Sequence, residues 1–580
     1  MERTGTLIRE KYRENFAATL AMAGSASIAS IVDRIMVGNL LSGTDLAALN
    51  LTSPVVCVIN VIFCFFIYGG NTLAVTLKGG RDQQGADKAF SVSIFGGAAG
   101  MLLFALLGIL FQTPIARALA AGNEDLIPPV REYLFPMFFT GLLILLVNGM
   151  SAYIRSDGLK TLAVVIPVIA NLVNLVMDYV FMGILRFGIG SAGWATNIGY
   201  TAGLFLLIPY LRSKRRSVFF TKPDAGDLPM LRDILKTGLA SALVYVSLFL
   251  RSLVLNWIVV SLGGVTGSQV AAVCLSANSV ALIFYGGSTQ TVLPIGGALY
   301  GEKDYKGLRE TMKTALITTE VFCVLVMAVF LLFPRQFGVL FGVDSPEAAE
   351  LLDSAFRIFA LSLPFTGLQE LFRVCLQCTG RRNAASAMTA AAGTVCFIPV
   401  IWLLSFLGSG WIWLSCTAAP VLAVAGTWLA LSRKAKKKGT PGSVLLPEVD
   451  EKALMFDFSI SSSISQAEEA SKQVIALCEQ NGVPEVPGNN LGVAAEELCT
   501  NIAKYAYGKR TDSVDLFLRI SAEDVVLRVR DNGMIFNPVE FKDDSGRKVT
   551  GLGVLRALPL KTEYNRVLGF NNTIVTVGRT

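Results

Sequence analysis

The stretch TLAVVIPVIANLVNLVMDYV, residues 161–180, decides how this chain is read. It is apolar over about 20 residues, the length that crosses a hydrocarbon core of about 30 Å. Yet it holds Asn171, Asn174 and Asp178. A carboxylate at mid-bilayer costs roughly 2.5–3.5 kcal/mol on insertion scales, so such a residue faces a protein interior and marks a functional site. Asn174 and Asp178 are four residues apart and share one helix face.

The rest of the chain fits this reading. Of 580 residues, 53% are hydrophobic and only 16% are charged, against about 25% in a soluble domain. Residues 1–432 are apolar with short basic loops, whereas residues 440–580 have a soluble composition. Twelve spans are expected, at 16–38, 47–77, 89–112, 127–152, 161–185, 190–211, 233–261, 268–299, 310–333, 353–378, 384–406 and 410–432. Alternate loops are basic, from Arg9, Lys11 and Arg13 to RKAKKK at 433–438. The positive-inside rule then puts both termini in the cytoplasm of a cell-membrane protein. The N-terminal segment has no A-x-A cleavage pattern and reads as an uncleaved first span. The net charge of +7 follows from the basic loops and needs no nucleic-acid partner.

The sequence repeats itself. DLAALNLTSPV (45–55) matches SQVAAVCLSAN (268–278), GGRDQQGADKAF (79–90) matches YGEKDYKGLRET (300–311), and IRSDGLKTLAV (154–164) matches LQCTGRRNAAS (376–386). A constant offset near 222 implies two six-span bundles of the same orientation, 1–220 and 221–432, as in transporters built from repeats. Residues 433–450 read as a basic linker.

There is no histidine, which excludes phosphohistidine chemistry and His-based metal or catalytic sites. Cys375 and Cys378 form a CxxC without further ligands, so they read as buried small hydrophobes. Asp33, in IASIVDRIMVGN, is a second carboxylate near the end of the first span. It either joins Asp178 in a hard oxygen site for Na⁺ or H⁺, or sits solvated beside Arg34 at an interface.

On VDRIMVGN, DLAALNLTSP, VVIPVIANLVNLVMDYVFM and GIGSAGWATNIG, the first 432 residues resemble the MATE exporters. That resemblance implies a cation site of Asp33, Asn174, Asp178 and Thr196, and Na⁺- or H⁺-driven export of amphipathic, often cationic, small molecules. Two departures stand out. The first span lacks the proline many relatives carry there, and the second half holds Arg251, Glu320, Glu370 and Arg373. Glu370 and Arg373 are three apart and can pair on one face. Alternatively they belong to a changed substrate cavity, where arginine disfavours cations.

Residues 451–580 read as an α/β domain. LMFDFSIS alternates like a strand, SQAEEASKQVIALCEQNG is an amphipathic helix stopped at Gly482, and SVDLFLRISAEDVVLRVRDNG is two strands around a short turn. No GxxxxGK[ST] occurs, so no P-loop engine is present. EELCTNIAKY sets Glu497, Asn501 and Lys504 on one helix face; DNGMI puts Asp531 at a strand end; GLGVL opens a helix. This order resembles the GHKL ATP-binding fold, closest to the anti-sigma-factor serine kinases. The resemblance implies that Asn501 holds Mg²⁺ against ATP phosphates, that Glu497 is the catalytic base, and that Asp531 reads the adenine amino group. It further implies that Lys504, Gly533, Gly551 and Gly553 complete the nucleotide site, and that the partner is an anti-anti-sigma-like cytoplasmic protein. Ile535 replaces the second glycine of the adenine box.

Together these features point to a cation-coupled antiporter with an ATP-binding, Ser/Thr kinase-like regulatory domain. A transporter-like sensor with a kinase output and a flippase for lipid-linked substrates are the alternatives.

Overall fold

The computed structural model describes the chain apart from residues 1–3, 42, 121–122, 214–215, 223, 341–345, 438–453, 509, 541–550 and 580. Most of the expected linker therefore lies outside the described residues. Among the described residues, nine helices are long and apolar enough to cross a membrane, the first Ser53–Gly79 and the last Trp411–Lys437. The other three expected spans are also helical, in Thr6–Leu40, Gly190–Arg212 and the second part of Leu228–Gly301. They miss the same standard of length and hydropathy among the described residues.

The segment Leu228–Gly301 is helical over 74 residues, which as a straight rod would measure about 110 Å. It is not straight. A Cβ on Gly267 would lie 2.9 Å from the Val259 carbonyl oxygen, so the chain turns back on itself between them. One apolar core gathers residues between Val37 and Ala242, and a second gathers residues between Leu255 and Ala419.

The sequence repeat survives as backbone geometry. Arg81 (φ 71°) and Lys303 (φ 58°) are both left-handed non-glycine residues, and Gly158 (φ 85°) and Gly380 (φ 75°) form a second matched pair. The next residues, Asp82 and Asp304, accept from the amides of Gly85 (2.7 Å) and Gly307 (2.8 Å) and so cap equivalent helices.

The two loops so matched also touch. A Cβ on Gly301 would lie 2.0 Å from the Thr76 carbonyl oxygen, and one on Gly79 would lie 2.4 Å from that of Ala298. Only glycine permits this backbone approach of the first half to the second. Gly301→Ala or Gly79→Ala should therefore cost about 1–3 kcal/mol by overpacking, read as a lower unfolding midpoint of the solubilised protein. Gly24→Ala, with nothing within 4 Å of its Cβ position and a helix around it, should not lower the midpoint.

The C-terminal domain is a five-stranded antiparallel sheet, β1 (Leu454–Ser461), β2 (Ser513–Ile520), β3 (Asp524–Asp531), β4 (Lys561–Val567) and β5 (Phe570–Gly578), ordered β1-β2-β3-β5-β4. Helices Ile464–Gln480, Glu485–Asn501 and Gly551–Ala557 accompany it. Strand alternation sends Val514, Leu516, Leu527, Val529 and Val575 into one apolar core with those helices. The opposite face meets the membrane region. There Val567, Leu568 and Phe570 share a core with Leu7, Ile8 and Tyr12 of the first helix. All the elements read from the domain sequence are present.

Candidate functional site

The membrane site is built on Lys160–Asp178 and the neighbouring Gly190–Arg212. Both helices are apolar outside and polar where they meet. Gly199 sets the spacing: a Cβ there would lie 2.4 Å from the Ala170 carbonyl oxygen and 2.9 Å from the Asn174 amide nitrogen. The close approach brings Asn174 Nδ2 to Asp178 Oδ2 at 2.9 Å and to Thr196 Oγ1 at 3.3 Å, and it donates to both. Asp178 is fully buried and Asn174 nearly so. The half-buried Asp33 carboxyl of the first helix is a hydrogen-bonding and electrostatic neighbour of Asp178. All four expected residues thus come together, and Asp33 is not merely solvated at an interface. Asn171 is separate and donates to Ser25 Oγ at 3.0 Å. Directly after Asp178 the helix widens over Tyr179–Ile184, a local irregularity frequent at functional sites.

The second half contains a cavity of about 160 Å³ lined by Arg251, Glu370, Arg373, Tyr285 and Asn278 among others. Arg373 grips Glu370 through Nε (2.9 Å) and Nη2 (2.7 Å), as the three-residue spacing suggested. It also donates to Gln377 Oε1 at 2.9 Å. Arg251 lies over the Phe397 ring at 4.4 Å. The pair is an ion pair that also lines a cavity. Cys375 and Cys378 are both buried free thiols.

In the C-terminal domain Asn501 Nδ2 donates to the Glu497 carboxylate at 2.7 Å, fixing both on one helix face. Lys504 is exposed and lies in a widened turn, Ile502–Ala506, beyond the helix proper. Asp531 ends β3 and is buried. It accepts from the Gly533 amide at 2.8 Å and from Asn571 Nδ2 at 2.9 Å. Burial pushes its carboxyl up to about 6, against the pull of those two hydrogen bonds. Gly533 allows a tight approach, since a Cβ would lie 2.6 Å from that of Ala506. Ile535 is exposed, so its branched side chain is not needed by the core. Gly551 and Gly553 open the short helix Gly551–Ala557. The ten residues before it lie outside the described residues.

Sequence reasoning missed Asn571. Its only local signal is the doublet Asn571-Asn572 in an otherwise apolar strand. β3 and β5 pair Asp531 with Asn571 and Arg530 with Asn572.

Comparison with known proteins agrees with the fold. The family model MatE matches residues 20–180 and 240–403, together more than half of the chain. A model described as a histidine kinase-like ATPase domain matches residues 460–576. The multidrug export protein MepA of Staphylococcus aureus (strain MRSA252) is 26% identical over 409 residues, covering 69% of this chain and 88% of that protein. MepA of Staphylococcus saprophyticus is 26% identical over 412 residues, with the same coverage. Two solved structures share the fold of the membrane region. The Vibrio cholerae MATE transporter VcmN superposes with a TM-score of 0.69 at 19% identity, over 75% of this chain and 98% of that one. A MOP superfamily transporter from Pyrococcus furiosus, described as having a binding pocket of reverse polarity, gives 0.68 at 21%, over 75% and 99%. The chain is therefore a member of the MatE family that also carries a histidine kinase-like ATPase domain.

Proposed function

We infer that this protein is an antiporter of twelve spans in two six-helix bundles, with both termini cytoplasmic. It exchanges Na⁺ or H⁺ for amphipathic small molecules. One observation carries this reading: the buried Asp178 carboxylate, held by Asn174 beside Thr196 and Asp33. A carboxylate in that setting needs a cation or a proton to be tolerated, and exchange of that cation as the bundle alternates gives coupling. Purified protein in proteoliposomes, given an inward Na⁺ or proton gradient, should move fluorescent amphipathic dyes against their concentration. Vesicles that show no dye flux with either gradient would sink the reading.

The substrate charge is a separate matter. Arg251 and Arg373 line the second-half cavity against the single carboxylate of Glu370. The Pyrococcus furiosus relative, described as having a pocket of reverse polarity, supports a second reading in which anionic or zwitterionic amphiphiles are preferred. Competition between anionic and cationic dyes separates the two.

The C-terminal domain, in this proposal, binds ATP with Mg²⁺ and regulates transport. Its residues fit the group: a buried carboxylate at Asp531, a close glycine at Gly533, and Asn501 with its amide oxygen free of the bond to Glu497. Asn501 would hold Mg²⁺, Asp531 the adenine amino group, and Glu497 would act as base toward water or a protein hydroxyl. ATP, when bound, supplies the transferable phosphoryl group. An amino group donating to Asp531 needs the charged carboxylate. Affinity for an ATP analogue should therefore rise with pH through about 6 and level off above it, losing roughly tenfold per unit below. The raised value has the opposite sign for stability. Protonated Asp531 favours the folded domain, and that contribution fades as pH rises through about 6. A pH-independent affinity between 5 and 7 would remove Asp531 from the adenine site.

A further inference from the structure

Adjacent residues of β3 face opposite ways. Asp531 points toward the helices and the site just described, while Arg530 points toward the membrane region and is fully buried. Their partners on β5 alternate likewise: Asn571 holds Asp531, and Asn572 accepts from Arg530 Nε at 3.1 Å. Arg530 also donates to Asp304 Oδ2 at 2.9 Å and to the Glu302 carboxylate, which in turn accepts from Asn572 at 3.4 Å and Arg528 at 3.4 Å. Asp304 has a counterpart in Asp82, because both cap a helix. Glu302 has none, since the matching position of the first repeat is Gly80. Its carboxylate serves the docked domain rather than the transporter's own fold.

The neighbouring strand β4 holds the first half. Asn565 Nδ2 donates to the Lys78 carbonyl at 2.6 Å, and Glu563 pairs with Arg81 at 3.0 Å. At the hairpin tip, a Cβ on Gly158 would lie 2.6 Å from the Gly569 Cα. The β4–β5 hairpin and β3 thus grip Lys78, Arg81 and Gly158 on one side and Glu302 and Asp304 on the other. Lys78 and Arg81 belong to the loop of Gly79 and Glu302 and Asp304 to that of Gly301, the two that meet, while Gly158 lies in a third loop.

We propose that the C-terminal domain is a clasp across the two repeat-related loops, and that an adenine nucleotide at Asp531 is coupled to that clasp through the neighbouring rung Arg530–Asn572–Glu302. The halves cannot part on this side while both grips hold. A ligand that shifts the Asp531–Asn571 rung moves the Arg530–Asn572 rung with it, because the two are consecutive on the same paired strands. The coupling rests on the nucleotide reading above; the clasp does not.

Linkage makes the test reciprocal: a change at the loop must alter affinity at the site, typically by about 5–150-fold for coupled sites. The full chain in lipid nanodiscs is titrated with a fluorescent ATP analogue and Mg²⁺, as wild type, Glu302→Gln and Asp353→Asn. The last breaks a distant exposed pair with Arg357. Backbone hydrogen exchange is followed at residues 76–82 and 298–304. Glu302→Gln is expected to shift analogue affinity at least fivefold and to raise exchange in both segments, while Asp353→Asn does neither. Unchanged affinity in Glu302→Gln overturns the coupling, and unchanged exchange overturns the clasp. If the wild type binds no analogue, the nucleotide reading and the coupling fall together, and exchange alone decides the clasp. Asn572→Ala, which removes the acceptor for Arg530 Nε and the long hydrogen bond to Glu302, serves in the same assays if Glu302→Gln does not accumulate.

Discussion

Asp178→Asn should abolish cation-driven dye movement while leaving the protein folded. The substitution keeps the side chain's shape and one acceptor for Asn174 Nδ2, which now lies 2.9 Å from the carboxylate. It removes the charge that a bound cation or proton neutralises. Cation affinity in oxygen sites varies over orders of magnitude with the number of charged ligands, and here Asp33 would be the one carboxylate left. Accumulation in proteoliposomes should fall roughly 100-fold, to the level of empty vesicles. Asn174→Ala should come next, because Asn174 ties Asp178 to Thr196 and its loss unpicks two hydrogen bonds. Thr196→Ala should be mildest, since its hydroxyl also donates to its own helix at Ala192, 3.1 Å away. An Asp178→Asn protein that still accumulates dye under a gradient would move the coupling site elsewhere in the chain.

The second large effect is on stability. Arg530 is the guanidinium for two carboxylates that are themselves almost out of water, with side chains 6% exposed at Glu302 and 2% at Asp304. Removing it takes from both their short charged contact and leaves Glu302 with the longer ones from Arg528 and Asn572 at 3.4 Å, and breaking a buried pair costs about 3–5 kcal/mol. Arg530→Met should therefore separate the unfolding of the full chain into two transitions, with the C-terminal domain melting away from the membrane region. Pairing it with Glu302→Met should restore much of the loss, because an apolar pair of similar volume replaces the charges. Asp304 keeps a partner in either case, through the Gly307 amide at 2.8 Å. A single unchanged transition in Arg530→Met would mean that the apolar contacts of Val567, Leu568 and Phe570 suffice for docking.

What the sequence made legible follows from the range of the interactions. Asn174 and Asp178 could be placed on one face because helical spacing is local. The first three strands of the C-terminal sheet were readable because alternation is local too. Thr196 came from family resemblance alone, and Gly199, which sets the distance between its helix and Asn174, has no signature in spacing. The turn between Val259 and Gly267 was expected as a break between spans, yet the helical pattern runs through it. Arg528 and Arg530 read like any charged, solvent-facing alternation in DVVLRVRD. Their partners lie far back in the chain, at Glu302 and Asp304, and no local pattern carries that pairing.

The contact between Leu7, Ile8 and Tyr12 and the β4–β5 hairpin has a consequence in time. The first helix leaves the ribosome long before Phe570 does. At about 5–20 residues per second, that part of the helix surface waits roughly half a minute to two minutes for its partner. Until then the halves of the membrane region can meet but cannot be fastened. Docking of the hairpin thus follows the synthesis of the transport region, and a chain cut short before it would leave the ribosome with its transport region built and its fastening absent.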